Sequence, residues 1–346
     1  MIKNLICEIK LRKNELNNEI IETIYFGGGT PSLLTQSEID AIIQSIYKNH
    51  TVVPSPEITL EANPDDLNEE KLKELVASGI NRLSIGVQSF LDQDLKLMNR
   101  AHNAQESKAC LDLATRYFTN ISLDLIYGIP GLSNRLWKQN IQTALSFNIP
   151  HISCYALTVE PKTALESFIK KGIIEDIDDQ KAQEQFYILI DELEKHDFIH
   201  YELSNFGKKG YFSKNNSSYW QGKTYLGIGP SAHSFDGKQR SWNVKNNSKY
   251  IKALHKNQIP IEKEILSKTD RYNEYIMTGL RTIWGVSYKE VEQKFGKNFV
   301  KYLKQQADKY ILEHLLYIDD GILRTTQRGK FFSDGIASDL FKLNLS

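Results

Sequence analysis

Three consecutive glycines, Gly27, Gly28 and Gly29, follow a short β-branched and aromatic run and precede Thr30 and Pro31. Glycines let backbone N–H groups approach a ligand closely and adopt positive φ, which suits the binding of a carboxylate, amine or phosphate group. The segment lacks the G-x-G-x-x-G spacing of a dinucleotide-binding loop and the Gly-Lys-Ser/Thr ending of a P-loop. By itself it is explained equally well by a tight turn and by a binding site.

Three further polar side chains come at the ends of strand-like runs. Glu61, Gln88 and Asp124 each lie on the polar side of an alternating segment, in EITLEAN, RLSIGVQ and ISLD respectively. A single residue of this kind is usually a solvated strand end. Three of them, together with a glycine loop, converge on the edge where the βα loops of barrel and open α/β folds open, and they predict a polar small-molecule site.

The elements that would position these residues are strand-like runs separated by helical segments, which indicates successive βα units around a parallel sheet. The runs span residues 22–26, 57–62, 82–89, 121–128 and 151–158. A helix between Asn68, as N-cap, and Gly79, as stop, illustrates the connections. The chain opens with a helix-like segment in which Leu5, Ile6 and Ile9 are at helical spacing, so the strand that should begin the βα series is missing.

Beyond residue 160 the pattern changes. A helix is predicted near 178–196, followed by HYELSNF at 200–206 and a glycine, serine and aromatic-rich stretch to Trp242. After about residue 269 helices dominate until LLYIDDGILRTT at 315–326, where Asp-Asp-Gly between apolar runs predicts a hairpin. We therefore expect three parts, 1–160, 161–268 and 269–346, of which the last is a small winged-helix-like domain.

Composition limits the classes of function. The 346 residues carry 43 basic and 43 acidic side chains, so no global field attracts nucleic acid or anionic lipid, and no nucleic-acid partner is expected. The first residues are interrupted by charges and offer no signal peptide or membrane helix, which predicts a cytoplasmic protein. Cys7, Cys110 and Cys154 lie far apart without a CxxC pair, so we expect reduced, structural thiols.

Several longer motifs follow one another along the chain: IYFGGGTPSLL, LEANPDDL, INRLSIGVQSF, LMNRAHN, LDLIYGIPG, YALTVEP and YLGIGPSAHSF. In this order they resemble the HemN/HemW branch of the radical S-adenosylmethionine (SAM) proteins, and the resemblance runs from Met1 nearly to the C-terminus. It implies an α/β fold, a partial (β/α)6 barrel that here lacks its first strand, with a winged-helix-like tail, in which SAM binds against a 4Fe-4S cluster. Within the branch, this compact chain is most similar to the HemW-type heme chaperones rather than to the longer oxygen-independent coproporphyrinogen III dehydrogenases.

The resemblance also assigns contacts to SAM. They are Gly28, Gly29 and Thr30 at the methionine amino group, Glu61 at the polar part of SAM, Gln88 and Arg100 at the ribose or carboxylate region, Asp124 at the ribose, and the backbone of Ala156 at the adenine. Apart from the resemblance, Arg100 in LMNRAH is better explained as a charge on a helix surface.

The chain departs from the family in its cysteines. Radical chemistry in this family needs a CxxxCxxC motif after the first strand, whose three thiolates hold three irons and leave the fourth iron open to chelate SAM. This sequence has no such motif, so no metal-binding residue is predicted, and its three cysteines cannot replace the motif by local spacing. One N-terminal loss, through a late start codon or a gene fragment, would explain both the missing strand and the missing cysteines; a cluster-free descendant is the alternative. The chain as given is expected not to cleave SAM.

A second candidate site lies between residues 200 and 243, where aromatic residues and histidines are interleaved with glycine and serine. Aromatic planes and a histidine suit a flat tetrapyrrole, and His233 is the candidate ligand to heme iron; packing as core under long loops is the alternative. The family often has Arg/Lys-His-Asn where this chain has Lys214, Asn215 and Asn216, and Asn215 cannot be an imidazole ligand.

The resemblance predicts a heme chaperone whose partners are heme and a membrane or respiratory acceptor protein. Two alternatives stay open at this point. One is an oxygen-independent coproporphyrinogen III dehydrogenase, and the other is a cluster-free tetrapyrrole-binding protein.

Overall fold

The computed structural model of the chain describes residues 1–343. It contains two compact units: the first consists of Met1–Glu22, Ser37–Pro56 and the chain from Lys214 onward, and the second of Thr23–Gln36 and Glu57–Ser213. The helices are α1 Ile2–Leu11, α2 Gln36–Asn49, α3 Glu69–Ala77, α4 Asp92–Leu97, α5 Ala104–Tyr117, α6 Asn134–Ser146, α7 Ala164–Lys170, α8 Asp179–Glu194, α9 Lys214–Trp220, α10 Asn247–Leu254, α11 Lys268–Leu280, α12 Tyr288–Phe295, α13 Lys297–Leu312, α14 Gln327–Lys330 and α15 Ser333–Asp339. Within residues 1–343, no helix has the length and apolarity that crossing a membrane requires.

A mixed sheet positions the predicted site. Its strands are β1 Ile21–Phe26, β2 Val52–Ala62, β3 Arg82–Gln88, β4 Ile121–Tyr127, β5 His151–Ala156, β6 Ile199–Glu202 and β7 Asn205–Gly207. Their order across the sheet is β1-β2-β3-β4-β5-β7-β6. Strands β2 to β5 are parallel neighbours, whereas β7 runs antiparallel to both β5 and β6. The predicted strand runs are thus confirmed as β1 to β5, and HYELSNF contributes β6 and the start of β7.

Strand β3 shows how alternation builds this sheet. Leu83, Ile85 and Val87 are fully buried, while Ser84 and Gln88 are half-buried. The pairing register with β4 shifts between Ile85 and Gln88, and Gln88 has a φ of +68°. Residues with side chains rarely adopt this left-handed conformation. The shifted register and the positive φ of Gln88 together end β3 in a bend at the predicted site.

Helix α3 begins and ends as its sequence predicts. The Asn68 side chain accepts a hydrogen bond from the Lys71 N–H as an N-cap, and Gly79 beyond the helix has a φ of +82°. Leu72 and Leu75 are fully buried. A capped, one-sided helix of this kind carries the chain from the end of β2 to the start of β3.

The first unit contains two small sheets. Strands β8 His233–Phe235, β9 Gln239–Asn243 and β10 Ile261–Ile265 form one antiparallel sheet, and β11 Val286–Ser287, β12 Leu316–Asp319 and β13 Ile322–Thr325 form the other. Strands β12 and β13 are the predicted hairpin, whose turn residues Asp320 and Gly321 have φ of +47° and +72°. Helices α11, α12, α13 and α15 share a buried core with this sheet. The C-terminal region therefore combines packed helices with the predicted hairpin.

Helix α1 is held in the first unit by a buried ion pair. The side chains of Glu8 and Arg12 are 0% and 1% exposed, and their charged atoms are 2.9 Å apart. The Glu8 carboxylate also accepts hydrogen bonds from the Tyr250 hydroxyl at 2.5 Å, the Asn243 side-chain amide at 2.7 Å and the Gly229 N–H at 2.9 Å. Since Gly229 belongs to the segment YLGIGPSAHSF, this motif has a clear structural role in anchoring α1.

Candidate functional site

The three glycines after β1 have two different reasons to be glycine. Gly28 and Gly29 have φ of +74° and +64°, and a side chain on either would point into open space. A Cβ atom on Gly27 would lie only 2.5 Å from the Cε1 atom of Tyr25. The last two glycines therefore form a left-handed, open turn, and the first lets an aromatic ring lie against the backbone.

Glu61, at the end of β2, is fixed at this turn. One carboxylate oxygen accepts a hydrogen bond from the Tyr25 hydroxyl at 2.7 Å, and the other accepts one from the Gly28 N–H at 3.1 Å. Burial, followed by the charge of Glu61, raises the pKa of Tyr25, so this phenol is a donor at neutral pH. Tyr25 was not predicted from the sequence, although its position two residues before Gly27 placed it on one face of β1.

Asp124 lies half-buried on β4, next to β3. The Ser84 hydroxyl lies 3.3 and 3.4 Å from its two carboxylate oxygens. Burial raises the pKa of Asp124 to about 6, and the nearby charge of Glu61 acts in the same direction, while the Ser153 and Ser84 hydroxyls oppose the shift. Asp124 is thus mostly ionised at neutral pH and can accept hydrogen bonds.

Arg100 turns toward the strand ends. Its Nη2 atom donates to the Asn63 side-chain oxygen at 2.8 Å and to the Gly86 carbonyl at 3.2 Å. A Cβ atom on Gly86 would lie 2.8 Å from Gln88 Nε2 and 3.3 Å from Arg100 Nη2. The explanation of Arg100 as a helix-surface charge is therefore wrong. Gly86 and Asn63 were missed, although a glycine inside a strand is a known sign of close approach.

The two remaining assigned residues frame the same edge. Ala156 is exposed at the end of β5 and pairs with Tyr127 of β4. Thr30 is half-buried and precedes the short 3-10 turn Pro31–Leu33. The Asp66 carboxylate ties this turn to the end of β2, because it accepts hydrogen bonds from the Ser32 hydroxyl at 2.6 Å and the Asn63 amide at 3.1 Å.

The second unit thus brings several assigned residues into direct or nearly direct contact. Gly28 bonds to Glu61, and the side chains of Gln88 and Arg100 both lie over Gly86. Asp124 is close enough to Glu61 for the two charges to interact. The arrangement offers two carboxylate acceptors, one guanidinium donor and an open glycine turn, which suits a small ligand with amine, carboxylate and hydroxyl groups.

The cysteines are placed as structural residues. Cys110 and Cys154 are buried, and burial raises the pKa of the Cys110 thiol to about 12 and that of Cys154 well above its usual value. Cys7 is partly exposed, with its Sγ atom 4.0 Å from the Leu254 carbonyl. Among residues 1–343, no three His, Cys, Asp or Glu side chains are arranged to hold a metal ion. The residues present do not fit a 4Fe-4S cluster, which needs adjacent thiolates.

The aromatic stretch is divided between the two units. His200 and Phe206 stack with ring centroids 4.1 Å apart and are buried in the second unit, where packing as core is the better explanation. His233 is exposed in the first unit, and its ring lies 5.9 Å from that of Trp242, between centroids. Of the histidines in this stretch, His233 therefore keeps an accessible imidazole.

Comparison with known proteins supports the fold. The family model described as the radical SAM superfamily matches residues 8–144, and the one described as the HemN C-terminal domain matches residues 266–332. The solved structure of coproporphyrinogen III oxidase (HemN) from Escherichia coli superposes with a TM-score of 0.84 at 21% identity, covering 98% of this chain and 82% of that one. The fold is that of a radical SAM protein, a class that typically uses SAM and a 4Fe-4S cluster.

Two curated relatives narrow this class. The heme chaperone HemW of Bacillus subtilis is 34% identical across 91% of this chain and 84% of the relative. The heme chaperone HemW of Lactococcus lactis is 34% identical across 90% of this chain and 82% of the relative. The chain therefore belongs to the HemW family of radical SAM proteins.

Proposed function

We propose that the strand-end site of the second unit binds SAM. The open turn at Gly28, Gly29 and Thr30 would receive the methionine end, with Glu61 as acceptor for its amino group. Asp124 would accept hydrogen bonds from the ribose hydroxyls, and Gln88 and Arg100 would face the ribose or the carboxylate. The backbone of Ala156, an exposed residue at the end of β5, would contact the adenine. The geometry supports this because the turn is open and both carboxylates are held near one another.

We further propose that the protein is a heme chaperone that binds heme and delivers it to an acceptor protein. The observation that carries this proposal is the 34% identity with the B. subtilis heme chaperone over 91% of the chain. His233 is the proposed iron ligand, because its imidazole is exposed beside the Trp242 ring. A membrane or respiratory acceptor, a cytoplasmic location and the division at residues 160 and 268 stay predictions from the sequence.

The coproporphyrinogen III dehydrogenase alternative requires reductive cleavage of SAM. Bound SAM supplies a sulfonium centre that can release a deoxyadenosyl radical, but only when an electron donor is present. Because the thiols of this chain do not fit a 4Fe-4S cluster, we propose that the chain as given binds SAM without cleaving it.

Titration with hemin, followed by the Soret absorbance, tests the chaperone proposal. We expect a saturable spectral change, and weaker binding with an altered Soret band for His233→Ala. The matched control is His255→Ala, which removes another exposed histidine of the first unit and should leave the titration unchanged.

Three outcomes contradict parts of the proposal. The absence of saturable heme binding would contradict the chaperone function itself. An equal loss of heme affinity in His233→Ala and His255→Ala would contradict the role of His233. Turnover of coproporphyrinogen III by this chain, given SAM and a reductant, would favour the dehydrogenase.

A further inference from the structure

The hydrogen bond from Tyr25 to Glu61 has no part in the SAM contacts proposed so far. It joins the phenol oxygen and Oε1 at 2.7 Å, while Oε2 is held by the Gly28 N–H at 3.1 Å. Each carboxylate oxygen therefore has its own fixed donor. Two donors on two oxygens define the plane and the direction of this carboxylate, which neither donor could do alone.

The local sequence accommodates this contact. A Cβ atom on Gly27 would lie 2.5 Å from Tyr25 Cε1 and 3.0 Å from Glu61 Oε1, so only a glycine lets the ring pass over the backbone to reach Glu61. Gly28 and Gly29 leave open space next to it. Gly27 thus makes room for the Tyr25 ring and the Glu61 carboxylate, whereas Gly28 and Gly29 leave the space beside them open.

The phenol is also a hydrogen-bond donor at neutral pH. Burial and then the Glu61 charge raise the pKa of Tyr25, with smaller contributions from Asp124 and Tyr155. The hydroxyl therefore keeps its proton at neutral pH. Each Glu61 oxygen, having accepted one hydrogen bond, retains a free lone pair for a second donor such as an ammonium group.

We propose that Tyr25 is a positioning residue that presents Glu61 to the α-amino group of SAM, and so makes the site selective for adenosyl ligands that carry an amino-acid end. This inference rests on the SAM site proposed above. It predicts that loss of the phenol hydroxyl weakens the binding of only those ligands that have the amino group. The binding of the others is unaffected because the ribose and adenine contacts lie elsewhere along the sheet edge.

Isothermal titration of the full chain with three ligands tests the inference. S-adenosylmethionine and S-adenosylhomocysteine carry the amino-acid end, whereas 5′-methylthioadenosine lacks it. For Tyr25→Phe we expect roughly fivefold to tenfold weaker binding of the first two and a change of less than about twofold for the third. The double variant Tyr25→Phe/Glu61→Gln should bind S-adenosylmethionine no more than about twofold more weakly than Glu61→Gln alone, because Tyr25 acts through Glu61.

The matched control is Tyr117→Phe. It removes a tyrosine–glutamate hydrogen bond of the same length, 2.7 Å, between the side chains of Tyr117 and Glu69 on the surface of the same unit, and should change no affinity. Equal weakening of all three ligands by Tyr25→Phe, or losses that add to those of Glu61→Gln, would overturn the inference alone. A wild-type chain that binds none of the ligands would instead refute the SAM site, and the inference with it.

Discussion

Glu8→Gln tests how strongly the buried ion pair holds α1 in the first unit. The substitution keeps the shape of the side chain but removes its charge and one of its two acceptor oxygens. Four donors from Arg12, Asn243, Gly229 and Tyr250 point at this carboxylate in a site that is 0% exposed. The side-chain amide of glutamine has one acceptor oxygen, which can accept hydrogen bonds from only part of these four donors. Its NH2 group is itself a donor and would face the remaining donors unfavourably.

The expected cost follows from these contacts. Removing one partner of a buried ion pair typically costs about 3–5 kcal/mol. Arg12 keeps a second carboxylate, because its Nη2 lies 2.7 Å from Glu15 Oε2, and it donates to the Gly227 carbonyl at 2.8 Å. We therefore expect the lower end of the range, a decrease of about 3 kcal/mol in the free energy of unfolding.

Guanidinium unfolding followed by tryptophan fluorescence measures this change. The chain has four tryptophans, and Trp220, Trp242 and Trp284 lie in the first unit, so the signal reports mainly on that unit. The matched control is Glu22→Gln, which breaks an exposed pair with Lys223 whose side chains are 54% and 48% exposed, and should cost less than about 1 kcal/mol. If Glu8→Gln costs no more than this control, the assigned role of the ion pair is wrong.

Two further predictions concern the strand-end site. Burial raises the pKa of Asp124 to about 6, above the value of about 3.9 in an unfolded chain. The folded state therefore binds the carboxyl proton of Asp124 more tightly than the unfolded state does. As pH rises through about 4 to 6 and this proton is lost, Asp124 stabilises the fold less. The melting temperature of Asp124→Asn relative to wild type should therefore rise between pH 4 and pH 7, and a difference independent of pH would contradict the shift. Arg100→Ala should weaken SAM binding about tenfold in calorimetric titration, whereas the exposed Arg116→Ala should not. Equal affinities of the two variants would contradict a role of Arg100 in binding SAM.

Local patterns predicted the elements of this fold because neighbouring residues decide them. Alternation identified β1 to β5, and the pair Asn68 and Gly79 marked both ends of helix α3, which connects β2 to β3. Asp320 and Gly321 identified the hairpin, because positive φ at two successive positions favours these residue types. None of these predictions required knowledge of a distant part of the chain.

The site was predicted in part. Alternation placed Glu61 and Asp124 on the polar side of their strands, and the parallel arrangement brought those strand ends to one edge. The sequence did not indicate that Tyr25 bonds to Glu61, since 36 residues separate them and the sheet order brings them together. It also could not give the direction of Arg100, which depends on the close approach that Gly86 permits.

By itself, the sequence determined the order of strands and helices, the residue types available at the strand ends and the absence of a CxxxCxxC motif. The tertiary structure decided which of those residues meet. It separated His200 and Phe206 as core from the exposed His233, and it joined Glu8 to Asn243 across 235 positions of the chain. The physical reason is that helix and strand formation depend on neighbours a few residues apart, whereas hydrogen bonds between side chains depend on sheet register and burial, which only the folded chain establishes.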